Sequence, residues 1–271
     1  MSIRSRLTQA LLTVLVVAAA GPSYAVQFPN TSDRGAPARG PSLGTRGELC
    51  LDPQQRPSLT SLLPHNAIAT AFGADTDIPL SLWFYIPETG AANAELTIVN
   101  EFGDETYQQT VELPDEPGTI QVMLPKYQAD SVTPTFSAGN LYYWDFALIC
   151  DPSDRSDDVL LGGGIQRIDA APDFLAQLET MADDPLAQAT LYAEQGAWQE
   201  TIALVASVRA QNPDAWTDLM ASVDLDVIAD QPIIGQTEPI GAVPNSPTVA
   251  MPNSSSSTLE RLLEGIDHSA K

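Results

Sequence analysis

The sequence predicts an α+β protein, an N-terminal antiparallel β-sandwich followed by a small α-helical bundle. Three observations carry that expectation. Between residues 59 and 169 short apolar runs are separated by turn signals roughly every ten residues. After Asp169 the hydrophobic period changes from two to about 3.6. Stretches rich in Pro, Gly and Ser flank both regions. The expected organisation is a signal peptide over 1–25, a leader over 26–58, the sandwich over 59–169, the bundle over 170–229 and a disordered tail over 230–271.

Arg4 and Arg6 supply a basic start, residues 10–20 are apolar except for Thr13, and Gly21-Pro22 precedes Ser23-Tyr24-Ala25. That order is the one a signal peptidase reads, and it places the mature N-terminus near Val26. The alternative, a membrane anchor, is disfavoured because the run is well short of the roughly 20 residues that span a bilayer. No Cys follows it, so a lipid anchor is not indicated, and no later segment is apolar enough to cross. The expected location is therefore secreted or periplasmic. Twelve Lys and Arg stand against 35 Asp and Glu, and removing the signal takes two Arg and no acid, moving the formal charge from −23 to −25. Such a surface repels phosphate backbones and argues against nucleic acid as a partner.

The leader carries Pro29, Pro37, Pro41, Pro53 and Pro57 together with Gly35, Gly40, Gly44 and Gly47, a density that forbids helix. It also holds Arg34, Arg39, Arg46 and Arg56, read either as an arm for a polyanion or partner or as cations lying on the protein's own acidic surface. Cys50 and Cys150 are the whole thiol inventory. In an oxidising compartment such a pair forms one disulfide, here closing a loop of about 100 residues; a redox pair or zinc site would need a C-x-x-C spacing that is absent.

Residues 80–86 read as a strand ended by Pro87, and 96–99 and 106–113 as a hairpin around Asn100-Glu101-Phe102-Gly103-Asp104-Glu105. Residues 119–124 alternate, with Ile120, Val122 and Leu124 on one face. The most apolar strand runs from Leu141 to Cys150, and a strand over 159–168 closes the sandwich, with Gly162-Gly163-Gly164 expected to force a bulge or bend. Beyond it, Pro172-Asp173 and Asp184-Pro185 open two helices, the second ending at Gly196. A third spans 198–211, with Trp198, Ile202 and Val205 on one stripe, and a fourth runs from Asp214 to about Ile228 with Trp216, Leu219, Met220 and Val223. Residues 258–264 form a short amphipathic stretch within the tail.

Leu191-Tyr192-Ala193-Glu194-Gln195-Gly196-Ala197-Trp198 through Ile202, followed by Asn212-Pro213, resembles one tetratricopeptide unit, with small Gly196 expected to let the helices approach. Thr201 stands where that motif has Ala, and the first helix lacks the early aromatic. One such pair cannot bury its stripe alone and must dock elsewhere. As a set, Arg34-Gly35-Ala36-Pro37, Gly44-Thr45-Arg46-Gly47, residues 59–64, Trp83-Phe84-Tyr85-Ile86-Pro87, Leu148-Ile149-Cys150-Asp151, Ile165-Gln166-Arg167-Ile168 and Leu191-Tyr192-Ala193-Glu194 resemble a family of exported cyanobacterial proteins defined as a domain of unknown function, number nine-two-eight. The resemblance spans about residues 33–229 and implies an exported protein, with no catalytic residue to carry over.

Candidate chemistry is sparse. Gly40-Pro41-Ser42-Leu43-Gly44 matches G-x-S-x-G but sits in the Pro/Gly leader, and the serine-hydrolase elbow needs strand–turn–helix context. Only His65 and His268 offer a base. Asp151, Asp154, Asp157 and Asp158 gather four carboxylates in eight residues, but Arg155 lies among them and the spacing is not that of a calcium loop, which favours a polar turn. Trp83, Tyr85, Tyr142 and Trp144 would stack sugars if they faced outward. No cofactor, metal or catalytic residue is expected. The reading that results is a non-enzymatic binding protein for an envelope or extracellular protein or polysaccharide, with a carbohydrate-binding or carbohydrate-active module as the alternative.

Overall fold

The computed structural model describes residues 25–29, 50–64, 68–73, 78–128 and 133–237. Ser42, His65, His268, three of the leader arginines (Arg34, Arg39 and Arg46), the signal up to residue 24 and the 258–264 stretch lie outside them. Nine strands are described, β1 Thr60–Ser61, β2 Ile68–Phe72, β3 Ser81–Ile86, β4 Asn93–Asn100, β5 Glu105–Glu112, β6 Gly118–Met123, β7 Leu141–Ile149, β8 Val159–Ile168 and β9 Ile233–Thr237. Five helices stand between β8 and β9, namely α1 Pro172–Thr180, α2 Pro185–Glu194, α3 Trp198–Ser207, α4 Pro213–Ser222 and α5 Asp226–Ala229. The strands form a four-stranded sheet in the order β1-β3-β6-β9 and a five-stranded sheet in the order β2-β8-β7-β4-β5.

The two sheets share one core. Leu82, Phe84 and Ile86 of β3 and Ile120 and Val122 of β6 pack against Leu96, Ile98, Trp144, Phe146 and Leu148 of the other sheet. Phe84 stacks on Phe146 at 4.0 Å between ring centroids. Ile120, Val122 and Leu124, the face anticipated in β6, are all buried, while on its other face Thr119 is buried too and Gln121 and Met123 are half-buried. Strand β3 differs from that half-buried pattern because every one of its residues is buried. Its odd-numbered side chains Trp83 and Tyr85 enter a second core with Leu62, Trp198, Ile202, Val205, Trp216, Leu219 and Met220. The helical layer thus lies on the outer face of the first sheet, where the Trp198 indole donates to the Leu62 carbonyl at 2.7 Å.

Several expectations are corrected. The sheets are mixed, because β2 runs parallel to β8 and β9 parallel to β6. Parallel neighbours need a crossover, and for β9 the whole helical layer lies within that crossover. The tail therefore does not begin at 230: Ile233–Thr237 returns to the first sheet after the helices. Within the leader, Val26 and Phe28 are buried in the helical cluster. Residues 162–164 make no bulge, for β7 and β8 stay in one register from Leu141↔Gln166 to Leu148↔Val159. Gly164 instead admits β2, since a Cβ there would lie 2.9 Å from Ile68 Cγ1.

The helices start where expected and stop earlier. Asp184 caps α2, accepting from the Ala187 amide at 3.0 Å, and Pro172, Pro185 and Pro213 each open a helix. The long fourth helix is two, broken where Asp224 takes φ 58° and the Leu225 amide closes back on Met220. Gly196 also has a reason other than close approach. A Cβ there would meet nothing within 4 Å, but φ is +71°, so the turn between α2 and α3 asks for glycine through its backbone.

Cys50 and Cys150 form the anticipated disulfide, with Cα atoms 5.2 Å apart, tying the segment ahead of β1 to the end of β7. Replacing both with Ser is expected to cost about 2–5 kcal/mol in a urea titration. Gly196→Ala is expected to cost about 1–2 kcal/mol in the same measurement, and Gly196→Asn less, because Asn tolerates the left-handed region.

Candidate functional site

The most exposed large apolar side chain among the described residues is Phe102, at 82 %. It sits at the tip of the β4–β5 hairpin, where Asn100 organises the turn. The Asn100 Oδ1 accepts from the amides of Phe102 and Asp104, each at 2.9 Å, and its Nδ2 donates to Asp104 Oδ2 at 3.1 Å. Gly103 takes φ 88° and its amide returns to the Asn100 carbonyl at 3.0 Å. A two-strand ladder from Asn93↔Glu112 to Val99↔Glu105 supports this tip from below. The result is a phenyl ring held out on an ordered turn among the carboxylates of Glu101, Asp104 and Glu105. Its backbone is already organised, so little ordering is lost when the ring is covered.

The carboxylates after Cys150 are engaged by their own loop. Asp151 accepts from the Ser153 amide and hydroxyl at 2.8 and 2.7 Å, Asp154 from the Ser156 amide at 3.0 Å, and Asp158 from the Cys150 amide at 3.2 Å. Arg155 pairs with Asp158 and reaches Glu95 at 3.1 Å. Hydrogen bonds from Ser153 hold the Asp151 carboxyl below its ordinary range, and those from Ser156 do the same for Asp154. This is the geometry of a polar turn. Among the described residues no cluster of three or more His, Cys, Asp or Glu is arranged to hold a metal ion.

The four aromatic residues considered as a sugar platform are turned inward. Trp144 and Tyr142 belong to the inter-sheet core, and Trp83 and Tyr85 to the helical one. Tyr143, their neighbour on the outer face of β7, is exposed, at 39 %. A shallow cleft elsewhere, between the end of β5 and β9, is lined by Val111, Leu113, Ile120 and Gln236, with Glu112 and Asp115 at its acidic side.

A feature that the sequence did not disclose lies at the seam of α3 and β2. Strand β2 is an edge strand, and its outer backbone groups are met by the start of α3. Thr70 bridges Ala197, and Glu200 Oε1 accepts from the Phe72 amide at 2.8 Å. Gln199 and Glu200 are buried, and the Gln199 amide and Glu200 Oε2 have no protein hydrogen-bond partner among the described residues. Burial pushes the Glu200 carboxyl up to about 7, against the opposing effects of its own amide, the Phe72 amide and the charge of Arg167. Burial likewise pulls the Arg167 guanidinium down. Glu200 lies on the side of α3 opposite the Trp198–Ile202–Val205 stripe, and it is buried because a sheet edge covers that side. A carboxyl enclosed in this way acts as a clip between helix and sheet.

Fold and sites together define a disulfide-linked α+β protein in which two facing sheets carry a docked helical layer. The chain belongs to the family described as Domain of Unknown Function (DUF928), whose model matches residues 41–233. No curated protein matches the sequence.

Because the folded chain raises the Glu200 pKa from 4.5 to about 7, it binds this proton more tightly than the unfolded chain does. The stabilisation from this group is complete below about pH 4.5 and is lost as pH rises through about 7. Glu200→Gln keeps an acceptor for the Phe72 amide without the charge. Stability measured by urea unfolding from pH 4 to 8 is expected to show the variant gaining on the wild type as pH rises; a constant difference would contradict this.

Proposed function

We propose that the protein is exported to the periplasm or cell exterior and works there as a non-enzymatic binding protein for another envelope or extracellular protein. The observation that carries the binding role is Phe102, an exposed aromatic ring on a turn already ordered by Asn100. Aromatic side chains with a supported backbone are the usual anchors of protein interfaces. The carboxylates around it favour a partner whose apolar pocket has a basic rim. Export is supported by the N-terminal pattern and by the Cys50–Cys150 disulfide, a bond that persists in oxidising compartments. No helix among the described residues is long and apolar enough to cross a membrane.

The tetratricopeptide likeness of α2 and α3 contributes differently from what the motif suggests. The apolar stripe of α3 is spent on β3 and on Val26 and Phe28, so the pair acts as a docked layer. The hairpin, standing away from that layer in the order of the sheets, is the better candidate for contact. A sugar-binding role loses its support with the burial of Trp83, Tyr85, Tyr142 and Trp144.

The test is a pull-down from an envelope extract with the wild type and with Phe102→Asp, followed by an affinity measurement on the partner recovered. Loss of an anchor worth about 2 kcal/mol or more corresponds to roughly 30-fold weaker binding. The same partners recovered with equal affinity by both proteins would remove the hairpin from the proposal.

A further inference from the structure

Residues 25–29 form a short segment without regular secondary structure, whose neighbours in sequence on both sides lie outside the described residues. Its burial alternates: Ala25, Gln27 and Pro29 are exposed, and Val26 and Phe28 are buried. Val26 is fully enclosed, at 0 %, and Phe28 is 5 % exposed. The Phe28 ring meets the Trp198 indole edge-on, 5.0 Å between centroids at 85°. The Phe28 amide donates to Ser222 Oγ at 3.0 Å, and that hydroxyl donates to the Leu219 carbonyl at 2.7 Å. Both side chains thereby join Leu62, Trp83 and Trp216 in the core between β3 and the helices. Trp198, which carries Phe28, is the residue whose indole reaches across to the Leu62 carbonyl.

This segment directly follows the Ser23-Tyr24-Ala25 pattern, in which small residues occupy the positions a signal peptidase reads. We infer that the chain is cut between Ala25 and Val26 and that the new N-terminus is itself a core element, with Val26 and Phe28 plugging the groove between β3 and the helical layer. The inference rests on the export reading. The reaction is hydrolysis: water adds across the Ala25–Val26 peptide bond, leaving a carboxyl on Ala25 and an amine on Val26. Ala25, which carries the carbonyl that water attacks, is exposed, and the enclosed part of the segment begins only after it, at Val26. A cut after Phe28 would remove both apolar anchors, whereas the cut after Ala25 keeps both and adds nothing beyond them.

The experiment is expression of the full-length chain in a bacterial host that exports it, with intact mass and N-terminal sequencing of the recovered protein. Val26 as first residue is the expected result. An exported protein starting elsewhere would overturn the inference alone. A full-length chain retained in the cytosol with both thiols reduced would overturn the export reading and the inference with it. On the exported protein, Phe28→Ala is expected to lower the thermal midpoint by roughly 6–15 °C. Phe28→Leu, which keeps an apolar plug, should lower it less, and Gln27→Ala should leave it unchanged. Equal midpoints for Phe28→Ala and the wild type would show that the segment is not part of the core.

Discussion

Strand β3 is held from both sides, and the rest of the molecule follows from that. Its even-numbered residues Leu82, Phe84 and Ile86 face the other sheet, and Trp83 and Tyr85 face the helices. An antiparallel sheet with one wet face would have put polar residues at 83 and 85. With aromatic side chains there, the outer face of this sheet cannot be left in water, and a helical layer must cover it. The layer is made of helices too short to stand alone, and Trp198, Trp216 and Met220 are buried in one cluster with Trp83 and Tyr85 of β3. Sheet and helices are therefore one folding problem, and the fact that the chain returns to the first sheet as β9 only after α5 closes that unit.

Edges set the second constraint. Of the five-stranded sheet, β2 is covered by the start of α3 and by Glu200, an acid enclosed so that its carboxyl can accept an edge amide. At the opposite edge β5 carries Glu105 and Glu112 at its ends and exposes alternate polar residues, a composition that discourages strand addition. The acid-rich surface works in the same direction, keeping copies of the chain apart. Against that background an ordered, exposed phenylalanine at the β4–β5 tip stands out as the place where apolar surface is offered.

The reading of local pattern succeeded where local pattern decides the outcome. The β4–β5 hairpin, the alternation in β6, the apolar β7, the Asp184 cap and the Trp198 stripe all lie within a few residues of where periodicity and turn chemistry put them. The pairing of Cys50 with Cys150 was accessible by count alone. What was missed depends on neighbours distant in the chain. Strand β2 is five residues long and its character comes from lying beside β8. The glycine run in β8 looked like a bulge or bend, and its last member, Gly164, makes room for Ile68 of β2. The burial of Glu200 could not be anticipated, because nothing in its own helix reveals that an edge strand covers it. The aromatic pairs in β3 and β7 looked like a possible platform, and the deciding fact was that the sheets and the helical layer claim both faces of β3.

Local sequence was enough for the class of protein: strands first and helices after, one bridge between the only two cysteines and a strongly acidic composition. These are properties of composition and of spacing over ten or twenty residues, and they need no partner to be read. Tertiary structure alone decided that β9 belongs to the first sheet, that Val26 and Phe28 belong to the helical core and that Glu200 is buried. In each of these cases the segment is too short or too polar to specify its surroundings. Its state is set by surface contributed from more than 100 residues away.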